Sequence, residues 1–147
     1  KYIAFIANRP VACLGWGSAA WKLKSRDTFI GWDAKSKENN LHFVANNTRF
    51  LILPWVSVKC LASKLLALNA RRICDDWLQT YNYPLYLLET FVEKNRFKGT
   101  CYKAANWIRT GQTKGTAKKG HDHLFHGNIK DVYLYPLRKD FRKKLTG

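Results

Sequence analysis

Short apolar runs alternate with one longer helical stripe along the chain, and this pattern predicts an α/β protein with a mixed sheet. The strand-like runs lie at 2–6, 10–16, 28–33, 49–56, 84–92, 107–111 and 130–137. Two of them, "RFLILPWV" and "PLYLLETFV", are almost wholly apolar, which is typical of strands covered on both faces of a sheet. We expect the first of these two to end or splay at Pro54, because proline cannot donate to the ladder.

A helical period follows Pro54. Its apolar stripe consists of Val58, Leu61, Leu65 and Leu68. The stripe predicts a long helix with Ser57 as its N-cap, and Asp75 is expected to cap a second, short helix. Shorter helices are predicted at 34–44 and 96–106, and 17–27 is expected to be a connection.

The charge of the chain is strongly biased. There are 26 Lys or Arg residues against 10 Asp or Glu, a formal net charge of +16, and residues 92–147 alone carry +10. Such a bias favours a polyanionic partner, most often DNA or RNA, because neutralised phosphates release counterions. A lipid surface and a basic surface without a specific partner are the alternatives.

Length and composition bound the class of protein. The 147 residues are 46% hydrophobic, enough for one domain with a packed core. Four cysteines without a C-x-x-C spacing predict buried, reduced thiols. Neither a signal peptide nor an apolar run of about 18 residues is visible, so we expect a soluble, cytoplasmic protein. The chain lacks Met and opens at Lys1, so we expect an N-terminal portion to be missing.

Polar residues within or before the apolar strands are the first candidates for chemistry. Glu89 is the only acid in 77–92, and a carboxylate there is paired, hydrogen-bonded or raised in pKa. It is therefore a candidate general base; a structural ion pair, for instance with Arg49, is the alternative. Asn46 and Asn47, together with Arg49, could align a substrate or simply make the turn before the strand.

An aromatic and charged group lies near the N-terminal strands. It consists of Trp16, Trp21, Arg26, Asp27 and Trp32. Aromatic rings interleaved with cations suit stacking on nucleic-acid bases, whereas an ordinary core explains most of these tryptophans equally well.

Residues 112–128 are rich in glycine, lysine and histidine and predict a long exposed loop. Contact with phosphates is expected from Lys114, Lys118 and Lys119; an inert flexible loop is the alternative. The same segment holds His121, Asp122, His123 and His126. No second cluster accompanies them and the segment provides no preorganisation, so no metal is predicted.

The order of strand, long helix, strand, short helix and strand resembles the GNAT acyltransferase fold. Asn95, Tyr102 and the pair Asn106–Trp107 stand at the offsets of a short motif in that family. The resemblance implies a mostly antiparallel mixed sheet flanked by helices, two strands that splay apart, and acyl-CoA in the gap. It also implies that Asn95 contacts the cofactor and that Tyr102 protonates the departing thiolate; a core-edge aromatic is the alternative for Tyr102.

The segment before the long helix departs from the GNAT pattern. Ser57, Cys60 and Ala62 stand at the three fixed positions of the pyrophosphate loop, and only Ala62 has the small residue expected there. Small residues matter because they let backbone N–H groups close on pyrophosphate.

More specifically, the chain resembles the DruA-type family of bacterial Druantia anti-phage systems, whose members also occur beside transposase genes. The residues that carry this resemblance are "ACLGWGSAAWKLKSRDTFIGW", "NNTRFLILPWV", "LASKLL", "LLETFVEKNRFKGTCYKAANWIRTGQTKG" and "KDVYLYPLRKDFRKKL". The resemblance implies an additional N-terminal portion and partners among other defence-system or transposition proteins.

Two hypotheses of function therefore come from the sequence. The first is a GNAT-like catalytic domain in which Glu89 and Tyr102 flank a cleft between splayed strands. The second is an accessory domain that binds DNA or RNA and has kept the scaffold without acyl transfer.

Overall fold

A computed structural model describes residues 1–93, 99–113, 116–119, 122–125 and 129–147, with the backbone alone at 116–119 and 122–125. The strands are β1 (Tyr2–Ile6), β2 (Arg9–Ser18), β3 (Val44–Ile52), β4 (Leu87–Glu93), β5 (Ile108–Gln112), β6 (Thr116–Lys119), β7 (Asp122–Phe125) and β8 (Lys130–Pro136). The helices are α1 (Lys24–Ile30), α2 (Ala34–Asn40), α3 (Leu61–Tyr81), α4 (Thr100–Ala104) and α5 (Phe141–Thr146), with a 3-10 turn at Leu41–Phe43.

Six strands form one mixed sheet in the order β1-β2-β3-β4-β8-β5. Only the neighbours β3 and β4 run parallel; the other pairs are antiparallel. The predicted fold class, an α/β sheet that is mixed and mostly antiparallel, is confirmed. Strands β6 and β7 pair with each other as a separate hairpin. The loop predicted over 112–128 therefore contains two paired strands, and that prediction is wrong for their backbone.

Helices cover both faces of the sheet. Helices α3 and α4 bury one face around Leu66, Ile73 and Leu88. Helices α1, α2 and α5 bury the other face around Ile30, Leu134 and Leu145. The basic segment that follows β8 is thus not a free tail: it forms α5 and buries two apolar side chains, Phe141 and Leu145.

The segment 28–33 was expected to be a strand, and that prediction is wrong. Residues up to Ile30 complete α1, and Gly31 ends the helix with a φ of 80°. Glycine takes this left-handed conformation without a Cβ clash, which is why it commonly ends helices. Gly31 lies inside the apolar run that predicted the strand, and it marks the end of a helix.

The helix after Pro54 begins and ends differently from the prediction. It begins at Leu61 rather than after Ser57, and Cys60 occupies the N-cap position without a side-chain hydrogen bond. It then runs unbroken to Tyr81, so Asp75 lies inside α3 and does not cap a second helix. A continuous helix is favoured because Ile73 is fully buried against the sheet and holds the middle of α3 in place.

The strand predicted at 49–56 is displaced toward the N-terminus. β3 covers Val44–Ile52, and its buried part is the polar-looking start, Val44–Asn47. Its later residues are not covered on both faces: Arg49 is exposed and Leu51 is 49% exposed. The buried residues of β3 are therefore those that pair with the neighbouring strand β4, which flanks only the first half of β3.

All four cysteines are free thiols, as expected. Cys13, Cys74 and Cys101 are half-buried, and burial raises the pKa of the Cys74 and Cys101 thiols. Cys60 is exposed, so the expectation of a buried thiol is wrong at that position. Among the described residues, no helix combines the length and the apolarity needed to cross a bilayer.

Candidate functional site

The central feature of the sheet is a fork between the parallel strands β3 and β4. They pair only over Val44–Asn47 and Leu87–Thr90. Beyond this point β3 stays with β2 as far as Ile52, while β4 stays with β8 as far as Glu93. The splay expected at Pro54 therefore occurs, but it starts after Asn47, seven residues earlier. A bulge at Thr48 in the β2–β3 ladder accompanies the separation.

Asn47 and Tyr102 close the base of the fork on the side of α3 and α4. The Tyr102 hydroxyl donates to Asn47 Oδ1 at 2.7 Å. The Asn47 amide donates to the carbonyls of Gly15 and Arg49, and the Asn47 carbonyl accepts from Thr90 Oγ1. Burial raises the pKa of Tyr102 to about 12, so the phenol stays protonated at neutral pH.

Glu89 lies on the opposite face of the sheet from Tyr102. Side chains alternate along a strand, and Asn46 and Glu89 face α1 whereas Asn47 and Thr90 face α4. Glu89 Oε1 accepts from Arg26 Nη1 at 2.7 Å, in an ion pair with no exposure of either side chain. Glu89 Oε2 accepts from Asn46 Nδ2 at 2.8 Å and from the Ala20 amide at 3.0 Å.

Arg26 and Glu89 together hold the backbone at residues 20–21. Arg26 Nη1 donates to the Ala20 carbonyl at 2.6 Å, and Arg26 Nη2 donates to the Trp21 carbonyl at 3.2 Å. With the Ala20 amide bound to Glu89, three backbone groups of this segment are tied to one buried ion pair. We call this arrangement the Arg26–Glu89 clamp. It fixes the point where the chain leaves β2 and enters α1.

Asp27 connects the clamp to the surface. Its Oδ1 accepts from Arg26 and from Trp32 Nε1, and its Oδ2 accepts from Lys37 Nζ at 3.1 Å. Partial burial by itself would raise the pKa of Asp27, but the Trp32 hydrogen bond and the neighbouring cations outweigh it and lower the pKa. Asp27 is therefore ionised at neutral pH and holds Lys37 in place.

Lys37 lies between Asp27 and the exposed ring of Trp21. Its Nζ is 4.8 Å from the Trp21 ring centroid, within cation–π range. Beside this pair, an open depression of about 600 Å³ is lined by Lys22, Leu23, Lys24, Asp27, Thr28, Gly31, Trp32 and Lys37. In the described part of the chain, neither Lys22 nor Lys24 has an ion-pair partner.

The Druantia protein DruA family matches residues 2–121 of the chain. The chain belongs to this family. No curated protein matches it. Solved structures with a similar fold include an N-acetyltransferase from Staphylococcus aureus Mu50, with a TM-score of 0.54 at 12% identity over 92% of this chain and 66% of that one. A GNAT-family acetyltransferase from Streptococcus pneumoniae has a TM-score of 0.53 at 12% identity over 91% of this chain and 64% of that one.

These neighbours show that the DruA-family chain has a GNAT-like fold, as expected. The chain spans slightly less than two thirds of the length of each neighbour. At this identity the likeness concerns the fold alone.

The GNAT fold implies an acyl-CoA, and the residues of this DruA-family chain do not fit one. Before α3, Ser57 and Cys60 carry side chains where glycines would let backbone N–H groups close on pyrophosphate, and Cys60 adopts a φ of 61° that is strained for a residue with a Cβ. The Tyr102 phenol is 8% exposed and already donates to Asn47. No acyl-transfer step is therefore assigned.

The structure brings together some of the predicted site residues. Asn46 and Glu89 share the clamp with Arg26, so the ion-pair alternative for Glu89 holds with Arg26 in place of Arg49. Arg49 is exposed and away from this pair. Asn47 and Tyr102 meet across the sheet from the clamp. Glu89 as general base and Tyr102 as general acid stay predictions, but they do not flank one cleft.

Other predicted residues are separated. Trp16 packs in the α3-side core, where its Nε1 donates to Asn69 Oδ1 at 2.7 Å and its ring stacks on Trp107. Trp21 is on the surface. Asn95 and the side chains of Lys114, Lys118 and Lys119 lie outside the described residues, as do His121, His126 and the side chains of Asp122 and His123. Among the residues described, no group of three His, Cys, Asp or Glu could hold a metal ion.

Sequence reasoning missed Lys22, Lys24 and Lys37 as part of the site. The signal was present in "WKLK", a tryptophan followed by alternating lysines: Lys22 precedes α1, Lys24 begins it, and both line the depression. Asn69 and Thr90 were also missed, because single polar residues in apolar periodic segments do not reveal their partners.

Proposed function

We propose that this DruA-family domain binds nucleic acid in anti-phage defence, using the helical layer of α1, α2 and α5 on a GNAT-like scaffold. The observation that carries the proposal is the open depression in which Lys22 and Lys24 present positive charge with no ion-pair partner among the described residues. Phosphate oxygens are the natural partners of such lysines because binding them releases condensed counterions.

The charge of the whole layer supports the proposal. The segments 19–40 and 137–147 contain ten Lys or Arg residues and four Asp or Glu residues, a net charge of +6. Both segments lie on one side of the sheet, since α5 packs against α2 and α1. A polyanion approaching this side meets an attractive potential over an extended area.

Salt-dependent DNA binding tests the proposal. Fluorescence anisotropy would follow binding of a labelled oligonucleotide at several salt concentrations, for the wild type and for the Lys22→Ala/Lys24→Ala double variant. Each lost phosphate contact flattens the slope of log K against log salt by about 0.7 to 0.9, so we expect a change of about 1.4 to 1.8.

The control removes the same charge from the other side of the sheet. Lys59 and Lys64 are exposed; Lys59 lies two residues before α3, and Lys64 lies in its first turn. The Lys59→Ala/Lys64→Ala variant is expected to keep the wild-type slope. Equal slopes for all three proteins, or equal losses in both double variants, would remove the helical layer from the interface.

Acyl transfer is the second candidate, and the fork between β3 and β4 with a protonated phenol at its base favours it. Calorimetric titration with acetyl-CoA separates the two candidates. We expect no heat of binding, because the segment before α3 lacks the glycine-lined cradle. Saturable binding that Tyr102→Phe leaves intact while it reduces acyl transfer would favour the enzyme.

A further inference from the structure

We infer that Trp21 is a base-stacking platform, and that the depression beside it receives a nucleotide of single-stranded DNA or RNA. The inference rests on the proposed function and names the form of nucleic acid. Trp21 is 53% exposed although it belongs to a residue type that is usually well buried. The Trp21 side chain is exposed although the backbone that carries it is well anchored. This combination is the first reason to assign Trp21 a role in binding.

The backbone that carries Trp21 is unusually well fixed. The Arg26–Glu89 clamp binds the amide and carbonyl of Ala20 and the carbonyl of Trp21, and both clamp side chains are completely buried. A ring on such a backbone loses little conformational freedom when a ligand binds, so more of the contact energy appears as affinity. The buried carboxylate of Glu89 thereby positions a surface residue.

Lys37 holds the ring itself. Its Nζ lies 4.8 Å from the Trp21 ring centroid and 3.1 Å from Asp27 Oδ2. Asp27 is fixed in turn by Trp32 and Arg26. Lys37 is therefore held on one side of the indole, and the exposed remainder of the ring is free to stack on a base.

The depression provides room and charge close to the ring, since Lys22 and Lys37, which adjoin Trp21, are among its lining residues. Lys22 follows Trp21 directly, and Lys24 begins α1. A volume of about 600 Å³ falls in the range of roughly 300–1,000 Å³ of small-ligand sites, enough for one nucleotide. Gly31 borders the depression, and nothing lies within 4 Å of the position a Cβ would take there, so the space is open.

The stacking geometry selects single strands. In a duplex each base is stacked on its neighbours, and its face is closed to a protein side chain. Single strands present bases whose faces are open to aromatic residues while lysines follow the phosphates, and this stacking is largely independent of sequence. We therefore expect binding to oligo-dT and to mixed single strands, and weaker binding to a duplex of the same length.

The experiment compares Trp21 with another exposed tryptophan. Trp55 is 64% exposed and lies between β3 and α3, away from the depression. Binding of single-stranded oligo-dT and of a matched duplex would be measured by fluorescence anisotropy at one salt concentration for the wild type, Trp21→Ala, Trp21→Phe and Trp55→Ala. Far-UV circular dichroism would confirm that each variant is folded.

We expect Trp21→Ala to weaken oligo-dT binding about tenfold, since stacking on an aromatic side chain contributes about 1–3 kcal/mol per base. Trp21→Phe should restore part of the affinity, and Trp55→Ala should bind like the wild type. The affinity for the duplex should be nearly the same in all four proteins, because the duplex is bound through phosphate contacts, which do not involve the Trp21 ring.

Three outcomes would overturn the inference. Equal oligo-dT affinities for Trp21→Ala and Trp55→Ala would remove the platform, and tighter binding of the duplex would remove the preference for single strands; both leave the proposed function standing. Trp21-dependent binding of poly-glutamate as tight as that of oligo-dT would replace nucleic acid by an acidic protein. If the wild type binds neither DNA at low salt, the proposed function itself fails.

Discussion

Arg26 Nη1 lies 2.7 Å from Glu89 Oε1, and neither side chain reaches solvent. Arg26 belongs to α1 and Glu89 to β4, so the pair joins the helical layer to the centre of the sheet. Glu89 accepts hydrogen bonds from Arg26, from the Ala20 amide and from Asn46, and these contacts hold the junction together.

Glu89→Gln should destabilise the domain strongly. The amide cannot balance the charge of Arg26, and removing one partner of a buried ion pair costs about 3–5 kcal/mol. Urea unfolding would measure the free energy of unfolding. Asp140→Asn breaks an exposed pair with Arg138 and should leave the free energy of unfolding nearly unchanged. A Glu89→Gln variant with wild-type stability would count against the clamp.

Tyr102→Phe should cost about 1–3 kcal/mol of stability, because Asn47 Oδ1 is then left buried and without its donor. The same hydroxyl makes the wild type sensitive to alkali. Its pKa is raised from 10.0 to about 12 in the folded state, so its contribution is fully present below pH 10 and is lost as the pH rises through about 12.

Denaturant unfolding at alkaline pH would measure this loss for Tyr102. The wild type should lose stability more steeply above pH 10 than Tyr102→Phe does. Parallel curves would mean that the phenol ionises as readily in the folded state as in the unfolded state.

Gly99→Ala should be far more harmful than Gly31→Ala. Both glycines have positive φ, 65° and 80°, so both substitutions carry the same kind of backbone cost, about 1–2 kcal/mol. At Gly99 a Cβ would also stand 2.5 Å from the Tyr133 hydroxyl, whereas at Gly31 nothing lies within 4 Å. Thermal unfolding of the two variants isolates the contact: similar melting temperatures would show that Tyr133 moves aside without cost.

Asp27→Asn should reduce the acid sensitivity of the domain. The pKa of Asp27 is lowered from 3.8 in the folded state, so its contribution is present above that value and is lost as the pH falls toward the folded-state pKa. Urea midpoints measured between neutral and acidic pH should converge for the wild type and Asp27→Asn at the acidic end. Curves that stay equally far apart at every pH would show that Asp27 is not the group that titrates.

Local patterns predicted the class of the fold because they depend on neighbours in sequence. The apolar run from Pro84 to Val92 and the helical period after Leu61 predicted a strand and a helix, and both are found in the α/β fold. The predicted stripe is only partly covered, because Leu68 is 57% exposed while Leu66 and Ile73 pack α3 against the sheet. The family and its GNAT-like scaffold followed from the same segments. Boundaries were less predictable, since Gly31 and Cys60 take left-handed backbone conformations only in their tertiary setting.

Only the tertiary structure decided which polar residues work together. Glu89 and Arg26 are 63 positions apart, and Tyr102 and Asn47 are 55 apart. Because side chains alternate along β4 and β3, Glu89 and Asn47 face opposite sides of one sheet, and no sequence spacing encodes that separation. The effect of a buried charge depends on the partners that folding brings to it: Glu89 pairs with Arg26, and together they hold the backbone of Ala20 and Trp21.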